Sequence, residues 1–191
     1  ALEKNAKDCN GIIVSDFVYG LVTPNIISAI KKISEKYNLF VFGDLQCSSQ
    51  LGDITKFEGF SCICPNEKEA RISLKDKDSG LESICQELIK KTKSKALMLT
   101  LGAEGLIAYD CNNQNKIIRQ AFPALSVNPV DVSGAGDSLL AIISTSISSG
   151  APIMNAAILG TCMSSIAVQN MGNKSIKANQ VKEKLLDILR N

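Results

Sequence analysis

An α/β fold, with a mostly parallel sheet covered by helices on both faces, is predicted by two features of the sequence. Short apolar runs, each closed by Gly, Asp, Asn or Pro, alternate with segments whose apolar residues recur at helical spacing. The runs sit in a chain of 191 residues that is 45% hydrophobic and 21% charged, which is long enough for one well-packed domain over residues 1–191.

The strands come first. GIIVSDF (11–17), LFVFGD (39–44), FSCICPN (60–66) and ALMLTLG (96–102) are apolar almost throughout, as parallel strands buried on both faces must be. Between the first two, Thr23 predicts a helix N-cap with Pro24 in the first turn. Ile26, Ile27, Ile30 and Ile33 then form one stripe, with Lys31, Lys32 and Glu35 facing out. Leu81, Ile84, Cys85, Leu88 and Ile89 make a second stripe. The lysines that follow it, Lys90, Lys91, Lys93 and Lys95, read as solvated charge near a helix C-terminus.

After the fourth strand, GLIAYD (105–110) and KIIRQAF (116–122) flank the turn-rich CNNQN and predict a hairpin. A helix is expected from Gly134 to Ser149 with Gly150 as its stop, and another from Pro152 to about Asn170. Ala156, Ala157, Gly160, Ser164 and Ser165 give the latter a small face that allows close packing. A last amphipathic helix covers 179–189. Ligands of open parallel sheets sit at the carboxyl ends of the strands, which places Asp16, Asp44, Asn66 and Thr100 along one rim.

Composition narrows the function. A net charge of +2 and dispersed lysines argue against nucleic acid, and a small-molecule partner fits better. No apolar run reaches transmembrane length, and ALEKNAKDCN lacks the features of a signal peptide, so no membrane partner and a cytoplasmic location are expected. Seven irregularly spaced cysteines fit a reducing compartment, and Cys62 and Cys64, two apart in a strand, read as core packing. With no histidine, acid-base chemistry falls to carboxylates, lysines or tyrosines.

The stretch DVSGAGDSLL (131–140) carries the chemistry. Gly134, Ala135 and Gly136 stand at a helix start, where backbone amides lack intrahelical partners and the macrodipole favours an anion. Asp137 follows directly and is placed to take a proton from an attacking hydroxyl. The same residues also read as a site of tight helix packing with a helix-start carboxylate. Neither a Walker motif nor a dinucleotide GxGxxG after a strand is present.

DVSGAGDSLLA resembles the C-terminal signature of the ribokinase-like, or PfkB-type, carbohydrate kinases, whose Asp-Thr-x-Gly-Ala-Gly-Asp supplies an anion hole and the catalytic base. CPNEKEA resembles their Asn-x-x-Glu element, here Asn66 and Glu69, which acts on Mg²⁺, through water, and on the nucleotide phosphates. TLGAEG resembles their nucleotide-binding turn, here Thr100, Gly102 and Gly105. The resemblance implies a three-layer ribokinase-like sandwich and transfer of phosphate from ATP to a hydroxyl of a sugar or sugar phosphate. Asp137 would be the base, and Gly134, Ala135 and Gly136 the anion hole. Thr161 stands where the family often has an adenine-side Asn, and Ser133 where it has Thr. Some members hold a monovalent cation such as K⁺ at positions matching Asp131, Ser133, Ala167, Asn170, Gly172 and Ser175.

SDF..GLVTP, CPNEKEA and NPVDVSGAGD together look most like the heptose 7-phosphate kinase module of bifunctional ADP-heptose synthases. Those kinases carry Ser-Asp-Tyr-Gly-Lys-Gly where this chain has Ser15-Asp16-Phe17-Val18-Tyr19-Gly20. Members of the family begin with a long segment holding the first strands, the lid and most sugar contacts. The expectation is therefore a C-terminal portion, with the N-terminal part and lid missing, that transfers no phosphate alone. A homo-oligomer is left open. The alternative is a catalytically incomplete nucleotide-binding or interaction module.

Overall fold

Strands flanked on both faces must be apolar on both faces, and the four predicted runs supply the parallel part of the sheet. They form β1 (Gly11–Asp16), β2 (Phe40–Leu45), β3 (Cys62–Ile63) and β4 (Ala96–Thr100). The expected hairpin supplies β5 (Leu106–Asp110) and β6 (Ile118–Phe122), both antiparallel to their neighbours. The chain is described by a computed structural model over residues 2–46, 52–113, 116–126, 128–172 and 174–190, so Gln114 and Asn115 of the CNNQN turn lie outside the described residues. β3 is far shorter than the run FSCICPN. Pro65 has no N–H to donate, which ends regular pairing on that side.

The strand order is β1-β2-β3-β4-β5-β6. Among the described strands the order never reverses, so there is no switch point to mark a ligand crevice, and only the strand ends do so. Register sets Ser15 opposite Asp44, and an isolated bridge joins Asn66 to Thr100, so the rim residues do collect at one edge.

Sequential order with right-handed crossovers puts the early helices on one face. These are α1 (Leu2–Ala6), α2 (Pro24–Tyr37), α3 (Glu67–Leu74) and α4 (Leu81–Thr92). Ile27, Ile30, Ile84 and Leu88 pack there with Val14, Leu97 and Leu99. The other face is covered by α5 (Ala135–Ser148) and α6 (Ile153–Ala167), whose Leu139, Ile143, Ala156 and Ala157 meet Phe42, Met98 and Ala108. The two cores give a three-layer arrangement. α7 (Ala178–Arg190) closes a smaller cluster through Val181, with Cys162 and Ile166.

Several local expectations hold and some do not. Thr23 Oγ1 accepts from the Ile26 amide at 3.4 Å, and Asn38, in the left-handed conformation, stops α2. Ile26 itself lies on the exposed side of the stripe. Lys90, Lys91, Lys93 and Lys95 are all exposed. α5 begins at Ala135 because Gly134, at φ 74, is the N-cap, and α6 ends at Ala167, before the expected Asn170. α1 and α3 were not expected. Cys62 and Cys64 are buried side by side with sulfurs 3.9 Å apart, and among the described residues no group of three His, Cys, Asp or Glu side chains is placed to hold a metal. Among the described residues, too, no helix is long and apolar enough to cross a membrane.

At the end of β1, Asp16 is buried, pairs with the Lys56 ammonium and accepts from the Val18 amide at 2.9 Å. Val18 adopts φ 61, a left-handed conformation costly for a β-branched residue, at the position where the resembling kinases have Gly.

Candidate active site

Two glycine-bearing turns face each other across one cavity. The first follows β4. Thr100 donates its amide to Pro65 O at 2.9 Å, Leu101 to Gly105 O at 2.8 Å, and Gly105 back to Gly102 O at 3.2 Å, which closes the chain into a tight loop. Gly105 is fixed by packing: at φ 100, a Cβ there would strike Phe122 O and lie 2.7 Å from Ala124 N. Its requirement is structural as well as any it has toward a ligand.

The second turn opens α5. Gly134 sits at the N-cap with no side-chain cap bond, and the first-turn amides have no acceptor within the helix by position. Ala135 departs from the expected convergence of three amides, because its N–H reaches back to Val132 O at 3.3 Å. The amides of Gly136 and Asp137 come next in the first turn. A Cβ built on Gly136 meets no protein atom within 4 Å. Nothing in the protein's own packing requires glycine there, so the residue leaves space that a ligand can use.

Thr100, Gly102, Gly105, Ala135, Gly136 and Thr161 all line this cavity, which measures about 330 Å³. Leu106, Leu125, Leu139 and Val168 complete an apolar wall. A mostly apolar cleft with a few fixed polar groups is the usual form of a small-molecule site. Thr161 is buried and spends its hydroxyl proton on Ala157 O at 3.0 Å, leaving only the oxygen as an acceptor. Asn66 lies on the other side of the Thr100 turn, where it lines a second and larger cleft.

Asn66 and Glu69 are first of all a capping box. Asn66 Oδ1 accepts from the Glu69 amide and Glu69 Oε2 accepts from the Asn66 amide, each at 2.8 Å, which starts α3. The pairing buries Glu69 and brings it near Asp44, also buried, at the end of β2. Asp137 approaches the same carboxylate from α5. Burial first, then the charges of Glu69 and Asp137, push the Asp44 carboxyl up to about 7. Asp137 itself is exposed and accepts from Gln46 Nε2 at 3.0 Å. The charges of Glu69 and Asp137, far apart in sequence, thus both act on Asp44. Gln46 carries no sequence signal, and the perturbation of Asp44 exists only once residues 44, 69 and 137 converge.

Asp131 organises the approach to α5. Its Oδ1 accepts from the Ser133 amide at 2.9 Å and its Oδ2 from the Gly172 amide at 3.0 Å, and these two bonds hold its carboxyl below the ordinary range. The amides of Val130 and Asp131 donate to Val168 O at 2.7 and 3.2 Å, pinning the loop to the end of α6. Asn170 Nδ2 donates to Ile166 O at 2.8 Å.

The chain is similar to known proteins along most of its length. It is 28% identical over 183 residues to the bifunctional protein HldE of Campylobacter jejuni, covering 94% of this chain and 38% of that protein. Against the HldE of Trichlorobacter lovleyi the identity is 25% over 184 residues, covering 94% of this chain and 36% of the relative. The chain therefore spans less than two fifths of these relatives.

Among solved structures, Escherichia coli phosphofructokinase-2 in complex with potassium superposes with a TM-score of 0.79 at 16% identity, over 99% of this chain and 61% of that one. Arabidopsis thaliana ribokinase complexed with ribose and ATP gives 0.77 at 19%, over 96% and 58%. At these identities the likeness shows the fold, which is ribokinase-like. A family model described as pfkB family carbohydrate kinase matches residues 24–179, and on that match over most of its length the chain belongs to the pfkB family of carbohydrate kinases.

Proposed function

We propose that residues 1–191 form one α/β domain, the nucleotide-binding portion of an ATP-dependent kinase that phosphorylates a hydroxyl of a sugar or sugar phosphate, heptose 7-phosphate being the favoured acceptor. The observation that carries this reading is that an open Gly136 lines the same cavity as the Thr100–Gly105 turn and is followed directly by the exposed Asp137. In it, the adenine lies in the apolar cleft by Thr161, and the phosphates run past Gly102 toward the start of α5. The amides of Gly136 and Asp137 face the transferred group.

The residues fit Mg²⁺ as a partner of the phosphates rather than as a caged ion. Mg²⁺ keeps several waters and takes few carboxylates, and Asn66 and Glu69, already bound to one another, would reach it through water. The ion supplies neutralisation of phosphate charge. Asp137 accepts the acceptor hydroxyl's proton as that oxygen takes the phosphoryl group. K⁺ has a matching loop at Asp131 and Ser133, whose carbonyls the Asp131 bonds hold in place. The favoured acceptor follows from the HldE relatives and the motif resemblance.

A second reading, a nucleotide-binding module without transfer, is favoured by the surface beyond β1. Phe17, Tyr19 and Leu21 are exposed there, and Asp16 is already paired with Lys56. Steady-state kinetics of the whole kinase polypeptide with Asp137→Asn separates the two. A fall of several powers of ten in kcat at unchanged ATP affinity supports the base, and near-normal turnover removes it.

A further inference from the structure

A larger cleft lies beside the one between the glycine turns. A cavity of about 870 Å³ lies on the opposite side of Thr100 and Gly102, between the start of α3 and the α3–α4 loop, and Lys68, Arg71, Lys75 and Lys77 line it. Its acidic lining residues are Glu67 and Asp78, and Glu67 is already paired with Arg71 at 2.8 Å. Among the described residues Lys68, Lys75 and Lys77 form no ion pair with a protein carboxylate.

The loop that carries the cations is held in place. Arg71 Nη1 donates to Ser79 O at 2.9 Å and to Lys77 O at 3.4 Å, while Asp76 Oδ1 accepts from the amides of Asp78 and Ser79 at 3.1 and 3.0 Å. Asp76 therefore spends its carboxylate inside the loop and does not line the cleft. Lys75, at φ 54, ends α3 with its side chain at the cleft.

Exposed ammonium groups around a cleft of this size, three of them with no protein carboxylate paired to them, favour a small and highly charged anion. We propose that this cleft binds the chain of two or three phosphates of a phosphorylated small molecule, separate from the nucleotide in the neighbouring cavity. Thr100 and Gly102 line both cavities, so occupation of one changes affinity at the other. The coupling rests on the reading of the neighbouring cavity as the nucleotide site; binding of the anion itself does not.

Calorimetric titration of the protein with inorganic tripolyphosphate tests this. The expected result is saturable binding that weakens as salt rises, and a loss of at least about tenfold in Lys75→Asn/Lys77→Gln, Asn being a residue the left-handed position tolerates. Lys68→Gln gives the second measurement, with a smaller loss. Lys32→Gln/Lys182→Gln, which alters exposed lysines elsewhere, should bind normally. Absence of binding overturns the proposal, as does equal loss in the control pair. ATP arms distinguish the sources: two ATP per chain, one of them abolished by the lysine changes, identify a nucleotide as occupant, and one ATP whose affinity tripolyphosphate shifts without displacing it leaves the free polyphosphate. If ATP fails to bind while tripolyphosphate does, the nucleotide reading falls and the cleft stands.

Discussion

Gln46 Nε2 donates a hydrogen bond to Asp137 Oδ1 at 3.0 Å, tying the end of β2 to the first turn of α5. The bond fixes the direction in which the exposed carboxylate points, and a base that must meet one hydroxyl in line depends on direction. Gln46→Ala is expected to lower kcat about tenfold in the whole kinase while ATP affinity stays as it is, since hydrogen bonds to charged groups contribute at about that level. A change in ATP affinity with kcat preserved would mean that Gln46 serves binding instead.

Asp44 makes stability depend on pH in an unusual direction for a carboxylate. Its carboxyl is raised to about 7 in the folded chain, so between the ordinary range and pH 7 the folded state holds a proton that the unfolded state has lost. Stability from this group is present at low pH, declines as pH rises toward 7 and levels off above it. Asp44→Asn keeps the shape and removes the titration. Urea denaturation is expected to show the variant gaining stability at pH 8 relative to pH 5, by something on the order of a few kcal/mol. An equal effect at both values would show that Asp44 is ionised throughout.

The capping box allows charge and fold to be separated at α3. Glu69→Gln keeps an acceptor for the Asn66 amide, so the box survives while the charge goes. The Mg²⁺ concentration needed for activity should rise, with thermal stability little changed. Asn66→Ala removes the cap and should cost about 1 kcal/mol besides. An unchanged Mg²⁺ titration in both variants would reject any role for the pair beyond capping.

The fold was legible where periodicity was strong and the ends were marked. Thr23-Pro24, the isoleucines that follow and the hairpin runs on either side of CNNQN each announce an element by local chemistry alone. α1 is only five residues, too short to show a period. α3 was hidden by a competing interpretation, for Asn66-x-x-Glu69 was read for its likeness to a kinase motif although the same spacing is a capping box. The strand order and the single change of face after β6 depend on crossover handedness and on which helix stripes match which strand faces, and alternation of elements carries neither.

The site was legible in part for the same reason. Thr100, Gly102, Gly105, Ala135, Gly136 and Thr161 are far apart in sequence, and the fold sets them around one cavity. The apolar wall of Leu106, Leu125 and Leu139 looks like any core in sequence, and the bond from Gln46 to Asp137 spans 91 positions. Which glycines serve packing and which leave space for a ligand was not legible. Gly105 is demanded by the backbone passing it, while Gly136 fronts open space.

That difference supplies the most direct measurement. Gly136→Ala adds one methyl group where no protein atom lies within 4 Å, so the fold has no reason to resist it, and Ala suits a helix better than Gly. Paired thermal melts and Mg-ATP titrations of the two proteins are the test. If the start of α5 closes on a nucleotide phosphate, the variant melts at the same temperature or slightly higher and binds ATP at least about tenfold more weakly. Unchanged ATP affinity in a variant of unchanged stability would contradict the account, because no phosphate could then approach the backbone at Gly136.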